Sequence, residues 1–169
     1  MGYDSGFVAC REPEAQRAAM STQAAYLIHD ANRRDGWEWV LDSSRRARGF
    51  ALYATLRSLG RNGVRDLVER CCAIANRMAS RLAEAPGIEV LNDVVLNQVL
   101  VRFTPHAGGD PDNHTRAVIA RVQAGGAAWM GGTIWQGRAA MRISVSNWST
   151  SQADADTTVQ AILDAHAAT

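Results

Sequence analysis

Lysine is missing from this 169-residue chain: all eighteen of its basic residues are arginine. A chain without a side-chain primary amine cannot form a Schiff base through a lysine, supply the phosphate lysine of a P-loop or use a lysine general base. Cysteine is scarce. Cys10, Cys71 and Cys72 make an odd number with no C-x-x-C pair, so neither a disulfide framework nor a cysteine zinc site is expected. Cys71 and Cys72 fall inside a helical pattern and read as small buried hydrophobes. No run reaches the about eighteen apolar residues of a membrane span, and the N-terminus lacks the basic-then-apolar pattern of a secretory signal. The expectation is a soluble, cytoplasmic protein without a membrane partner. Charge of one sign is also lacking: 18 basic against 17 acidic residues leave +1, with no basic block, so a nucleic-acid partner is not expected. What remains, 47% hydrophobic and 21% charged, is ordinary globular composition with enough length for one packed core.

The first apolar stretch, Phe7-Val8-Ala9-Cys10, is short and bounded by Gly6 and Pro13, which predicts a buried strand. Residues 14–29 are Ala-rich with few large anchors, and 30–44 read as a loop carrying Trp37 and Trp39. From Arg45 to Leu59 a helix is predicted with almost no polar face over its second half, hence one buried on several sides, ended by Gly60-Arg61-Asn62-Gly63. A second helix follows. It places Val64, Leu67, Val68, Cys71, Ile74, Ala75, Met78 and Leu82 at three- and four-residue spacing, until Pro86-Gly87 breaks it.

Residues 88–91 and 95–103 read as strands. Asp110 as N-cap, Pro111 at the first helical position and Gly125-Gly126 at the end bracket a third helix. A hairpin is expected from Trp129 to Ser146 around Gly137, with Met141, Ile143 and Val145 on one side and Arg142, Ser144 and Ser146 on the other. Ser151 and Asp154 form a capping-box pattern that opens the last helix. From about residue 83 onward this order predicts an α+β unit, an antiparallel sheet with helices on one face. The first strand has no neighbour in that sheet and reads as an orphan from another.

Few residues carry chemistry by pattern alone. His29, His106, His114 and His166 show no H-x-x-x-H or H-x-H spacing, so no metal site is expected and they read as surface residues. Gly125-Gly126 and Gly131-Gly132 do not fit a nucleotide-binding fingerprint and read as turns or close-packing points. Arg33-Arg34 and Arg45-Arg46 read as solvated pairs beside Asp35 and Asp42. Arg142 lies mid-strand between apolar residues, where a guanidinium beside two serines suits bidentate carboxylate recognition; a solvated arginine on the open face is the plainer reading. The five tryptophans read as core or interface residues, with Trp37 and Trp39 also placed to close over a pocket.

Several stretches in order resemble the C-terminal part of the pyridoxal-phosphate-dependent group II amino-acid decarboxylases. Tyr3-Asp4-Ser5-Gly6 is similar to the stretch after the family's cofactor lysine. Ser44-Arg45-Arg46-Ala47-Arg48 is similar to the family's entry to a long helix, and Leu59-Gly60-Arg61-Asn62-Gly63 to its helix break. Val99 to Phe103, Gly131-Gly132-Thr133 and Met141-Arg142-Ile143-Ser144-Val145-Ser146-Asn147 resemble small-domain strands, the last of them arginine-bearing.

The resemblance implies fold type I: a large cofactor-binding domain, a small C-terminal α+β domain and a homodimer with active sites at the subunit boundary. Residues 1–43 would be a remnant of the large domain with its catalytic loop, 44–82 linking helices, and 83–169 the small domain. The cofactor implied is pyridoxal 5'-phosphate and the substrate an amino acid, with the cofactor lysine just ahead of residue 1. By resemblance Arg142 would bind the substrate carboxylate and Ser44 would approach the cofactor phosphate across the dimer. The chain alone would then be an inactive part of a carboxy-lyase, lacking its large domain, and would self-associate through exposed apolar surface. Two alternatives stay open: part of an aminotransferase-like pyridoxal enzyme, or a non-catalytic interaction module.

Overall fold

In the computed structural model, residues 6–21, 34–42 and 46–169 are described. The chain divides into two compact units, residues 1–60 and 61–169.

In the first unit Pro13 opens helix α1 (Pro13–Met20), where its missing N–H costs nothing. A single 3₁₀ turn (Gly36–Trp39) carries both loop tryptophans. The two elements are tied by polar contacts. Arg17 pairs with the buried Glu38 at 2.9 Å, Gln16 Nε2 donates to the Trp39 carbonyl at 3.2 Å, and the Arg34 guanidinium sits 4.1 Å from the Trp39 ring centroid. Residues 6–10, expected as a strand, form no ladder, and Phe7 and Val8 are exposed. A strand is stable only against a neighbour, and the described residues offer it none.

Helix α2 (Arg48–Ala83) is interrupted once, at Gly60, whose φ of +63° and ψ of −174° are not helical. The expected four-residue break is therefore a single residue, and Arg61, Asn62 and Gly63 already belong to the continuing helix. Before the break Phe50, Tyr53, Leu56 and Leu59 are all exposed, Phe50 at 76%. The sequence-based expectation of a helix buried on several sides is not met among the described residues. The apolar side chains are there, and what would cover them is not among the described residues. After the break Cys71, Ile74, Ala75, Met78 and Leu82 are buried at helical spacing, while Val68 faces solvent.

The second unit is built on a four-stranded antiparallel sheet in the order β1-β2-β4-β3, with β1 Ile88–Val90, β2 Gln98–Phe103, β3 Gly131–Trp135 and β4 Arg138–Ser144. β2 begins later than expected, at Gln98, and Val95 and Leu96 are exposed ahead of it. β3 and β4 are joined by Gln136 (φ +50°) and Gly137 (φ +77°), both left-handed, the backbone of a type I′ hairpin turn. Helices α3 (Pro111–Gly125) and α4 (Gln152–Ala167) carry the expected caps. Asp110 accepts from the Asp112 N–H, Gly126 ends α3, and Ser151 and Asp154 close a capping box.

One hydrophobic cluster joins Ile74, Met78 and Leu82 of α2, Val118 and Val122 of α3 and Val159 and Ile162 of α4 to Val99, Val101, Phe103, Met141 and Ile143 of the sheet. Each such side chain contributes roughly 1.5–3 kcal/mol by leaving water. Asp156 on α4 adds a polar tie, taking Arg77 at 2.9 Å and Arg81 at 2.6 Å from α2.

β2 and β4 pair from Gln98↔Ser144 to Val101↔Met141 and then separate. Main-chain groups beyond that point would be left without partners, a costly outcome in a core. The N-terminal half of α3, together with Arg102 of β2, supplies the partners. The Thr115 hydroxyl accepts from Phe103 N at 3.1 Å and donates to Phe103 O at 3.2 Å. Asp112 Oδ1 accepts from Ala139 N at 3.2 Å, and Arg102 Nη1, ion-paired to Asp112, donates to Ala139 O at 3.2 Å.

Candidate functional site

Strand alternation decides where Arg142 goes. Its neighbours Met141 and Ile143 enter the core, so Arg142 points from the opposite, open face of the sheet, in register with Leu100 on β2 and Gly131 on β3. Leu100 and Ala140 on that face are buried, while Arg142 and Ser144 are exposed. Among the described residues Arg142 has no ion pair. The two other arginines of the same face are engaged: Arg102 with Asp112, and Arg138 with Glu89 at 3.4 Å. Arg142 is thus presented as an uncommitted guanidinium on a rigid central strand, the arrangement a carboxylate ligand needs.

Ser44, the other expected site residue, lies outside the described residues, as do Tyr3, Asp4, Ser5, His29, Arg45 and residues 30–33 and 43 of the expected catalytic loop. Trp129 and Trp148 are exposed at 78% and 76% rather than packed in the core. A pocket of about 190 Å³, lined by Trp129, Met130, Ile143, Ser146 and Thr158 among others, does not include Arg142. Cys71 is buried as expected, Cys72 is half-buried and Cys10 is exposed.

The reading of the histidines as surface residues is wrong for two of them. His114 on α3 and His166 on α4 are 8% and 3% exposed, with His114 Nε2 3.0 Å from His166 Nδ1. The His106 ring lies 4.7 Å from that of His166. Burial, and then the neighbouring imidazoles, hold the pKa of His114 below the usual histidine value; burial is also the main cause for His166, opposed by its bond to the Pro86 carbonyl. The residues come from separate elements, so no spacing rule finds them; the one sequence signal is that His166 falls on the apolar face set by Val159, Ile162 and Leu163. Among the described residues no group of three His, Cys, Asp or Glu is arranged to hold a metal ion.

Residues 2–104 match the model of a family described as the pyridoxal-dependent decarboxylase conserved domain. Tyrosine decarboxylase 2 of Arabidopsis thaliana is 25% identical over 134 residues, which are 75% of this chain and 24% of that protein. The fold is similar to that of Catharanthus roseus tryptophan decarboxylase crystallised with L-tryptophan, with a TM-score of 0.81 and 17% identity over 94% of this chain and 32% of the other. It is equally similar to Oryza sativa TDC crystallised with PLP and tryptamine, with a TM-score of 0.81 and 20% identity over 90% of this chain and 33% of the other. The chain thus spans about a quarter to a third of the length of these relatives.

The residues of this chain do not by themselves fit pyridoxal phosphate. No lysine is present to hold its aldehyde. The buried side-chain polar atom left unpartnered among the described residues, Trp39 Nε1, is a lone donor and not a phosphate cradle.

Proposed function

Since the chain belongs to the pyridoxal-dependent decarboxylase family, we propose that it is the small-domain portion of an enzyme that decarboxylates an amino acid. The observation that carries this reading is the family match over residues 2–104, which runs from the N-terminal segment through the interrupted helix to the end of β2. Pyridoxal phosphate is the cofactor of the complete enzymes of this family. It supplies an electron sink for bonds broken at an amino acid's α-carbon. A lysine-bearing body outside this sequence must hold it, so the chain alone is inactive.

Two features of the structure support a role inside a larger catalyst. The row Phe50, Tyr53, Leu56 and Leu59 on α2 is apolar surface of the kind another body covers. Arg142, uncommitted on its strand, is suited to take the carboxylate of the amino acid, orienting the substrate without taking part in proton transfer. In the complete enzyme a homodimer would bring Ser44 toward the cofactor phosphate of the other subunit, and residues 1–43, 44–82 and 83–169 would serve as large-domain remnant, linking helices and small domain. The aromatic amino acids accepted by the similar plant enzymes are the first substrates to test.

The absence of lysine favours a second reading, a non-catalytic interaction module derived from this family. The coding DNA upstream of residue 1 separates the two. A His-Lys-bearing large domain, in frame or displaced by a frameshift, supports the enzyme reading, and an unrelated gene supports the module. In the assembled enzyme, Arg142→Gln should raise KM for the amino acid at least about tenfold, the loss of one charge-assisted pair; an unchanged KM removes Arg142 from the site.

A further inference from the structure

Three imidazoles supplied by three separate elements meet at one corner of the second unit. His106 lies in the loop after β2, His114 on α3 and His166 near the end of α4. The His166 ring also packs on Phe103, with centroids 5.4 Å apart, and meets the His114 ring edge-on at 71°. Below it is the turn that leads into β1, where His166 Nε2 is 3.2 Å from the Pro86 carbonyl. The corner is closely packed: a Cβ placed on Gly87 would lie 2.9 Å from Thr104 O and 3.0 Å from His166 Nε2.

The hydrogen-bond chemistry gives this chain of groups a direction. A carbonyl only accepts, so the proton of a neutral His166 sits on Nε2 and its Nδ1 presents a lone pair. His114 then donates its Nε2–H to that lone pair, leaving its own Nδ1 bare. Both N–H groups of the neutral pair are then used: His114 donates to His166, which donates to Pro86. A first added proton, on His114 Nδ1, keeps the bond but places a charge in a site where burial opposes it. A second, on His166 Nδ1, sets two N–H groups head to head across 3.0 Å, and the contact cannot survive.

Among the described residues no carboxylate is available to compensate. On α3, Asp112 is taken by Arg102, Arg116 and the Ala139 N–H, and Asp110 by the Asp112 N–H. On α4, Asp164 accepts from Gln160; on β1, Glu89 pairs with Arg138. Glu84 precedes the turn, and among the described residues neither it nor another acid acts on the two rings; the charges that do are imidazoles.

We propose that His114 and His166 form an acid-sensitive latch, which fastens the C-terminal turns of α4 to α3 and to the Pro86–Gly87 turn while both rings are neutral and releases them when the pair takes up protons. The sign follows from linkage. Both groups are harder to protonate in the folded chain than in the unfolded one, so their stabilisation is complete above the ordinary histidine pKa of about 6.5 and is lost as pH falls below it.

Amide hydrogen exchange on the full chain, corrected for intrinsic rates, tests the latch. Protection of residues 160–168 should fall about tenfold or more between pH 7.5 and pH 5.5, because two rings that stay neutral in the closed corner take up protons when it opens. Protection that does not change overturns the proposal. His114→Leu should shrink that pH dependence at least about threefold, and an undiminished dependence also overturns it. Should that variant fail to fold, histidine ring ¹⁵N shifts of the unaltered chain decide. At pH 7.5 His166 must carry its proton on Nε2 alone, and a His166 that is charged or protonated on Nδ1 at that pH refutes the latch.

Discussion

Thr115 on α3 holds both main-chain groups of Phe103 on β2, accepting from its N–H at 3.1 Å and donating to its carbonyl at 3.2 Å. One hydroxyl thereby replaces the strand that β4 would have provided had the two continued to pair beyond Val101↔Met141. Thr115 is completely buried, so its loss cannot be repaired by water. Thr115→Val, which keeps the shape, should cost roughly 2–4 kcal/mol by stranding two buried groups. Thr115→Ser, which keeps the hydroxyl, should cost only about 1 kcal/mol for one methyl group. Urea unfolding of the two variants checks the order.

Gly87 has φ of +78° and almost no room for a side chain. Gly87→Ala should destabilise the second unit by about 1–3 kcal/mol from backbone strain alone. The clash with Thr104 O and His166 adds to this, and the effect should be visible as a lowered melting temperature.

Asp156 binds Arg77 and Arg81, and those hydrogen bonds, Arg77 first, hold its carboxyl at a pKa of about 2 against the ordinary 3.8. A lowered carboxyl pKa stabilises the fold at pH values above the unfolded one, and the stabilisation is lost as pH falls from about 4 toward 2. Asp156→Asn should therefore lower stability at neutral pH and flatten its decline across that acid window. Thermal melts of both chains between pH 2 and pH 7 measure this.

The exposed row on α2 predicts self-association of the isolated chain. Phe50→Ser combined with Tyr53→Ser should reduce it while changing folding stability by no more than about 0.5 kcal/mol, because neither side chain is buried. Sedimentation velocity distinguishes the two chains, and a monodisperse parent monomer speaks against the prediction.

Signals carried by neighbouring residues were legible in the sequence. The Asp110-Pro111 start and Gly126 end of α3, the Ser151 and Asp154 box and the hairpin at Gly137 each depend on a few adjacent residues, and all are present. So does the alternation that puts Met141 and Ile143 inside and Arg142 outside. Features that depend on remote partners were not. Residues 6–10 have strand composition, but pairing needs a neighbour; Val95 and Leu96 are apolar yet lie ahead of the ladder. His114 and His166 are 52 residues apart and meet only because α3 and α4 pack together. The same limit applies to the site. The face that Arg142 takes follows from strand parity, whereas no pattern in its neighbours names a partner for its guanidinium, and it has no ion pair among the described residues.

The central claim is that this polypeptide cannot hold pyridoxal phosphate without a lysine-bearing partner body. Treating the purified chain with pyridoxal phosphate, reducing with borohydride and mapping the digest by mass spectrometry tests it directly. The account predicts no pyridoxyl group on any side chain and no carbon dioxide release from tyrosine or tryptophan. A stoichiometric adduct on one specific side chain, or turnover by the chain free of host enzymes, would contradict it.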